Sequence, residues 1–154
     1  MKIIKTIITT VLVSCMMLNV GCSNDKSKEK TYEKAAEEAI MGYLSALQAH
    51  NVPEIEKYVH EDWKKKYLSD EDYITAFVET VESCENVRVD VEHIKQTGEN
   101  EIEVPVKYIL TYSEEYIPVG TLDVGKNEMD DIFTLEEQEN GQYVLTHIRS
   151  SNIQ

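Results

Sequence analysis

The chain has 154 residues, and 29 acidic side chains against 15 basic ones give it a formal net charge of −14. A surface this acidic repels nucleic acid, whose binding depends on Lys and Arg neutralising phosphates, and it argues against a basic patch that docks on anionic lipid. The length suits a single domain with its own core, and no internal repeat is visible.

The first charges are Lys2 and Lys5, and no acid precedes Asp25. The uncharged run Thr6–Gly21 is 16 residues long and interrupted by Thr9, Thr10, Ser14 and Asn19. A spanning helix needs about 20 predominantly apolar residues, so this segment reads as an export signal and not as a membrane span. Leu18-Asn19-Val20-Gly21-Cys22 and the polar stretch Ser23–Lys30 follow the pattern of a tethered, exported chain. The segment resembles a bacterial lipoprotein signal, in which a small residue precedes the cysteine that receives the lipid. Asn19 departs from the Leu usual in that box, and Leu12-Val13-Ser14-Cys15 is a rival. Two acyl chains anchor stably where one does not. The resemblance therefore implies a lipid anchor on Cys22, with Cys15 as the alternative, and a chain held at the extracytoplasmic face of the cell membrane. An ordinary cleaved signal is the plainer possibility. Residues 1–21 are then the signal, 22–30 a flexible tether and 31–154 a single domain. Removing Met1–Gly21 takes two lysines and no acid, so the net charge moves to −16. With Cys22 modified, Cys84 is the only thiol of the domain, which must fold by packing without an internal disulfide.

From Thr31 to His50, Ala36, Ala39, Ile40, Tyr43, Leu44 and Leu47 recur at three and four spacing, an amphipathic helix with Gly42 as a small cost. Asn51 and Glu54 stand in capping-box spacing, and Pro53 falls in the first turn of a second helix running toward Val59. His60–Leu68 is mixed, carrying Trp63 and three consecutive lysines. A third helix starts at Ser69, with Asp70, Glu71 and Asp72 at its positive end, and runs to about Cys84–Asn86. The period then becomes two. Val87, Val89, Val91 and His93 alternate with polar neighbours, as in a half-buried strand. Ile102 to Tyr112 forms a long strand in which Pro105 marks an edge or a bulge. A short strand is expected over Tyr116–Asp123, and two more over Asp130–Glu137 and Gln142–Ser150, joined by the hairpin signal Asn140-Gly141. The expected class is α+β: three N-terminal helices packed on a curved, mainly antiparallel sheet of four to five strands.

The opening Ala36–Leu47 and Val52–Val59 and the closing Phe133–Glu136 and Asn140–Ile148 resemble the nuclear transport factor 2-like superfamily, the cystatin-like or cone-shaped α+β fold. That resemblance implies a sheet and helices enclosing a pocket, used by some members as isomerases, dehydratases or hydrolases and by many for binding or assembly. The fold does not choose among them.

Within such a pocket, acid–base chemistry needs a phenol or imidazole near a carboxylate. Tyr108, Tyr112 and His93 sit on apolar strand faces and are candidates to line it, as is Trp63. Asp90 and Glu92 alternate away from His93. Glu128, Asp130 and Asp131 read as a solvated acidic stretch and not as a calcium site. No catalytic set, cofactor motif or metal-ligand spacing emerges. The expected role is a membrane-tethered binding or interaction module, not an enzyme, whose partner is a small molecule or an envelope protein. The alternatives are a small-molecule enzyme of the pocket and an assembly domain of an envelope complex, which would show an apolar patch on the sheet.

Overall fold

The computed structural model describes residues 25–118 and 122–151, with side chains from Tyr32 onward. Cys15, Cys22 and the signal segment lie outside the described residues. Helix α1 spans Asp25–Gln48, beginning six residues before the predicted Thr31. Its Ala36, Ala39, Ile40, Tyr43, Leu44 and Ala46 are buried. Gly42 is there for a close approach, since a Cβ at this position would overlap the Tyr58 ring.

The next three helices are brief. Helix α2 (Val52–Ile55) is capped by Asn51, whose Oδ1 accepts from the Glu54 amide at 3.1 Å. Helix α3 (Glu61–Trp63) runs on into a π-helical turn, Lys64–Leu68. Helix α4 (Glu71–Tyr73) does the same through Ile74–Val78, and Asp70 Oδ1 caps it by accepting from the Asp72 and Tyr73 amides. Between α2 and α3 the chain touches the sheet. His60 donates its amide to the Leu145 carbonyl at 2.8 Å, and Leu145 donates to the Tyr58 carbonyl at 2.7 Å. That parallel bridge pins the start of α3.

Five antiparallel strands follow: β1 (Val81–Val89), β2 (Lys95–Gln96), β3 (Glu101–Tyr112), β4 (Gly125–Glu137) and β5 (Tyr143–Ser150). Their order is β1-β3-β4-β5, and β2 pairs with β3 on the same side as β1. The buried face carries Val104, Val106 and Tyr108 of β3, Phe133 and Leu135 of β4, and Leu145 of β5, and α1 packs over it.

The expected class is thus corrected. Among the described residues, one long helix and three very short ones precede a five-stranded antiparallel sheet, in place of three regular helices on a sheet of four to five strands. The predicted third helix ends at Val78, and a strand begins at Val81 where the sequence suggested helix. The cause is bulging. The β1–β3 register slips between Val81 and Ser83 and again between Glu85 and Arg88, and Asn86 takes φ +55°. Each extra residue shifts the inward set by one. The inward residues become Val81, Cys84, Val87 and Val89, whose first spacings of three imitate a helix.

The predicted strand through His93 also stops early. Asp90 donates its amide to the Pro105 carbonyl at 2.9 Å, but Pro105 has no N–H to return. Strand β1 ends at Val89, and Val91–His93 coil into a 3₁₀ turn. Pro105 therefore faces the gap between β1 and β2, which lets a proline sit in a central strand. Among the described residues of Tyr116–Asp123 no strand forms; Tyr116 instead closes a turn onto the Ser113 carbonyl. Gly141, at φ +79°, makes the β4–β5 turn. Among the described residues, no helix is long and apolar enough to cross a membrane.

Candidate functional site

Strand β3 alternates strictly, so Tyr108 and Tyr112 stand on its inner face four residues apart. In register beside them, β4 presents Met129 and Asp131 on the same face. The Tyr108 hydroxyl donates to Asp131 Oδ2 at 2.8 Å, and both residues are buried. Across from this pair stand Tyr43 and Leu47, one turn apart on α1. The two helix-to-π segments close the remaining side, presenting Trp63 with Tyr67 and Tyr73 with Phe77, each pair spaced by four. Together these side chains border an open cleft of about 370 Å³. Single-turn π-helices occur frequently at functional sites.

The rings touch in sequence. From Tyr112 the series runs to Tyr116 (centroids 4.0 Å apart), Phe77 (5.8 Å), Tyr73 (4.9 Å), Tyr67 (5.0 Å), Trp63 (5.6 Å), Tyr43 (5.4 Å), Phe133 (6.2 Å) and Tyr108 (6.1 Å). It starts and ends on one face of β3, and all its members except Tyr116 and Phe133 border the cleft. Contacts of this kind stabilise by about 0.5–1.5 kcal/mol per pair beyond their buried area.

Burial sets the electrostatics. It lifts the Tyr43 and Tyr108 phenols well above their ordinary value, and Asp131 adds to the effect on Tyr108. Tyr112 is raised by burial and by its neighbour Tyr116. Tyr73 is pushed up to about 12, mainly by burial. These groups stay neutral near pH 7 and act as donors and π faces. Burial also raises the Asp131 carboxyl, with a smaller push from Asp130 and an opposing pull from the Tyr108 hydrogen bond. At the rim, Lys66 Nζ lies 4.8 Å from the Tyr67 ring centroid, with Asp62 and His147 also bordering the opening.

Three of the four residues proposed from sequence as pocket lining, Tyr108, Tyr112 and Trp63, thus border one cleft. His93 does not. It is exposed in the 3₁₀ turn, where its Nδ1 lies 2.9 Å from both Asp90 carboxylate oxygens. That contact raises its pKa, the hydrogen bond being the larger cause. Strand alternation sets Asp90 on the opposite face from His93; the turn at Val91–His93 instead brings them together at the surface, away from the cleft. Asp131 is the residue the sequence reading missed, because it was grouped with Glu128 and Asp130 as a solvated stretch. The signal was present: Met129, Asp131, Phe133 and Leu135 alternate along β4, which places Asp131 on the apolar face. Tyr67 was missed as well, inside the mixed run 60–68.

A larger depression of roughly 590 Å³ lies at the far end of the sheet. Its polar groups Gln96, Glu99, Asn100 and Glu137 are exposed. Buried Tyr143 and half-buried Glu101 also line it, so its polar groups lie mostly toward solvent. The outer face of the sheet is polar, with Arg149 paired to Glu103 at 3.0 Å and Lys107 to Asp130 at 3.1 Å.

No family model and no curated protein matches the chain. Among solved structures it is similar to a SEC-C motif containing protein from Rhodopseudomonas palustris, solved in solution. The identity is 10% and the TM-score 0.49, covering 79% of this chain and 92% of that one. A likeness at that level carries no reading of function. The expected recognition as a lipoprotein with a nuclear transport factor 2-like domain is corrected: no family model matches the chain, and the solved structure named above is a SEC-C motif protein.

Proposed function

We propose that the domain is a binding module that takes a small molecule into the aromatic cleft, and that its N-terminal segment exports it and holds it at the outer face of the cell membrane. The observation that supports binding is the ring of aromatic side chains around an open cleft with a buried carboxylate in its wall. A few oriented polar groups inside mostly apolar walls characterise small-molecule sites, and about 370 Å³ falls within their usual size range. The tether rests on the residue pattern alone: Lys2 and Lys5, the apolar run, and Gly21 before Cys22, with Cys15 as the other acceptor.

Two measurements test this reading. Binding is checked by thermal shift of the full chain against a panel of small cationic, neutral and anionic compounds, with Trp63→Leu as the control that should lose any response. A panel with no hit that depends on Trp63 removes the cleft as the site. The tether is checked by mass spectrometry of the mature N-terminus; an unmodified amino-terminal residue removes the lipid.

A second reading, an enzyme acting on that small molecule, has one observation in its favour. Tyr108 and Asp131 form a phenol–carboxylate pair at 2.8 Å on the cleft wall, an arrangement that general acid–base chemistry uses. The elevated Tyr108 phenol favours a hydrogen-bond donor over a base. The assembly-domain alternative draws no support from the ion-paired outer face of the sheet.

A further inference from the structure

We infer that the aromatic cleft selects a small organic cation, an alkylammonium group seated against the rings with Asp131 as its counter-charge. This rests on the reading of the cleft as a small-molecule site and names the chemistry of its ligand.

Three observations converge on it. Trp63, Tyr67 and Tyr73 border one open cleft, and the face of an aromatic ring carries the negative lobe of its quadrupole, which attracts cations within about 6 Å. The chain already uses one of these faces in this way, since Lys66 Nζ stands 4.8 Å over Tyr67. Finally, the charged side chains bordering the cleft are Asp131, Asp62 and Lys66, with the titratable His147 beside them. Two carboxylates against one ammonium leave an excess of negative charge. The protein as a whole, at −14, adds a field of the same sign. An anionic ligand would meet Asp131 and the π faces together. A neutral apolar ligand would leave the Asp131 charge balanced by the Tyr108 hydroxyl alone.

The volume limits the ligand to a small molecule. A compact alkylammonium can contact rings on several sides at once. A strongly hydrated metal ion matches the lining poorly, because the walls are mostly aromatic and aliphatic side chains in place of the six or more oxygens that hard cations take.

The test uses choline and its uncharged carbon isostere, 3,3-dimethylbutan-1-ol, which share a shape and differ in charge. Trp63 is the only tryptophan of the chain and lines the cleft, so the fluorescence of the full chain reports occupancy directly. Choline is expected to give a saturable change, and the isostere to bind about tenfold more weakly or less. Asp131→Asn keeps the side-chain volume and an acceptor for Tyr108. It should bring choline down to the level of the isostere while leaving the isostere unchanged. Equal binding of the two probes to the wild type overturns the inference and leaves the binding-module reading standing. Charge preference that survives Asp131→Asn overturns the assignment to Asp131. No saturable response to either probe overturns both the cation and the cleft as a small-molecule site.

Discussion

Replacing Tyr108 with Phe removes one hydroxyl and tests the polar centre of the molecule. The ring can stay where it is, packed edge-on against Phe133 with centroids 6.1 Å apart. What is lost is the 2.8 Å hydrogen bond to Asp131, between two residues that are 6% and 4% exposed. A hydrogen bond to a charged group contributes about 1.5–3 kcal/mol, and loss of the donor to this buried carboxylate falls within that range. The expected loss near pH 7 is therefore about 2 kcal/mol, or a fall in Tm of roughly 4–8 °C for a domain of this size. The pH dependence gives a sharper check. Burial raises the folded Asp131 pKa above its ordinary 3.8, and Tyr108 holds it down. Because the folded value is raised, the stability this group contributes is fully present below about pH 3.8 and is lost as pH rises through the folded value. Removing the phenol raises that value further. The deficit of the variant should then be smallest at the acid end, where the largest share of Asp131 is protonated, and should grow toward neutrality as it ionises. Urea unfolding at pH 4, 5, 6 and 7 measures this. A deficit that is the same at every pH would mean that the hydroxyl acts by packing alone. A loss under about 0.5 kcal/mol at pH 7 would mean the bond contributes little.

Asp131→Asn should leave stability at pH 7 unchanged or raise it, because it removes a desolvated charge and keeps an acceptor; a clear loss in the same urea series would contradict the raised pKa. Phe133, fully buried between Tyr43 and Tyr108, should cost about 3–5 kcal/mol on truncation to Ala, measured by denaturant unfolding. Gly42→Ala should destabilise the wild type through the Tyr58 overlap yet stabilise a Tyr58→Ala background by about 0.5–1 kcal/mol; the same sign in both backgrounds would refute the close-approach role. The Cys84 thiol, pushed up to about 11 by burial, should resist iodoacetamide at pH 8 in the folded protein and react readily once unfolded; equal rates would place it at the surface.

The parts of the fold most legible in the sequence are those where one pattern has one cause. The stripe Ala36–Ile40–Tyr43–Leu44 is legible because the whole of it is buried along one side of a regular helix. The run Ile102–Tyr112 alternates because β3 is straight and flanked on both sides. The region between them was misread for a physical reason. At Val81–Val89 two bulges convert a period of two into spacings of three, so the residues that face the core obey a helix's arithmetic while the backbone is extended. At Asp90 the cause lies elsewhere in the chain. Pro105 lacks the hydrogen that would continue the ladder, and no inspection of residues 87–94 alone can reveal that.

The cleft was half legible for a related reason. Tyr108 and Tyr112 announce themselves by standing on an apolar face, where a hydroxyl needs a partner. Trp63, Tyr67, Tyr73 and Phe77 carry no such mark, since an aromatic pair spaced by four is what an ordinary core helix shows. What makes them cleft residues is that both helices end in π-helical turns and that the bridge from His60 to Leu145 fixes where the first of them begins. Asp131 was hidden by its acidic neighbours, although the β4 alternation points it inward. A carboxylate on an apolar strand face must find a donor or give up its charge. Tyr108 supplies the donor from two register positions away on the next strand, and that same pair gives the aromatic ring its single fixed polarity. If the ring were only core, Asp131→Asn would hold or raise stability, since Asn keeps an acceptor for Tyr108, and would change no binding. If the cleft takes a cation, the same substitution separates the two properties: stability holds or rises while affinity falls.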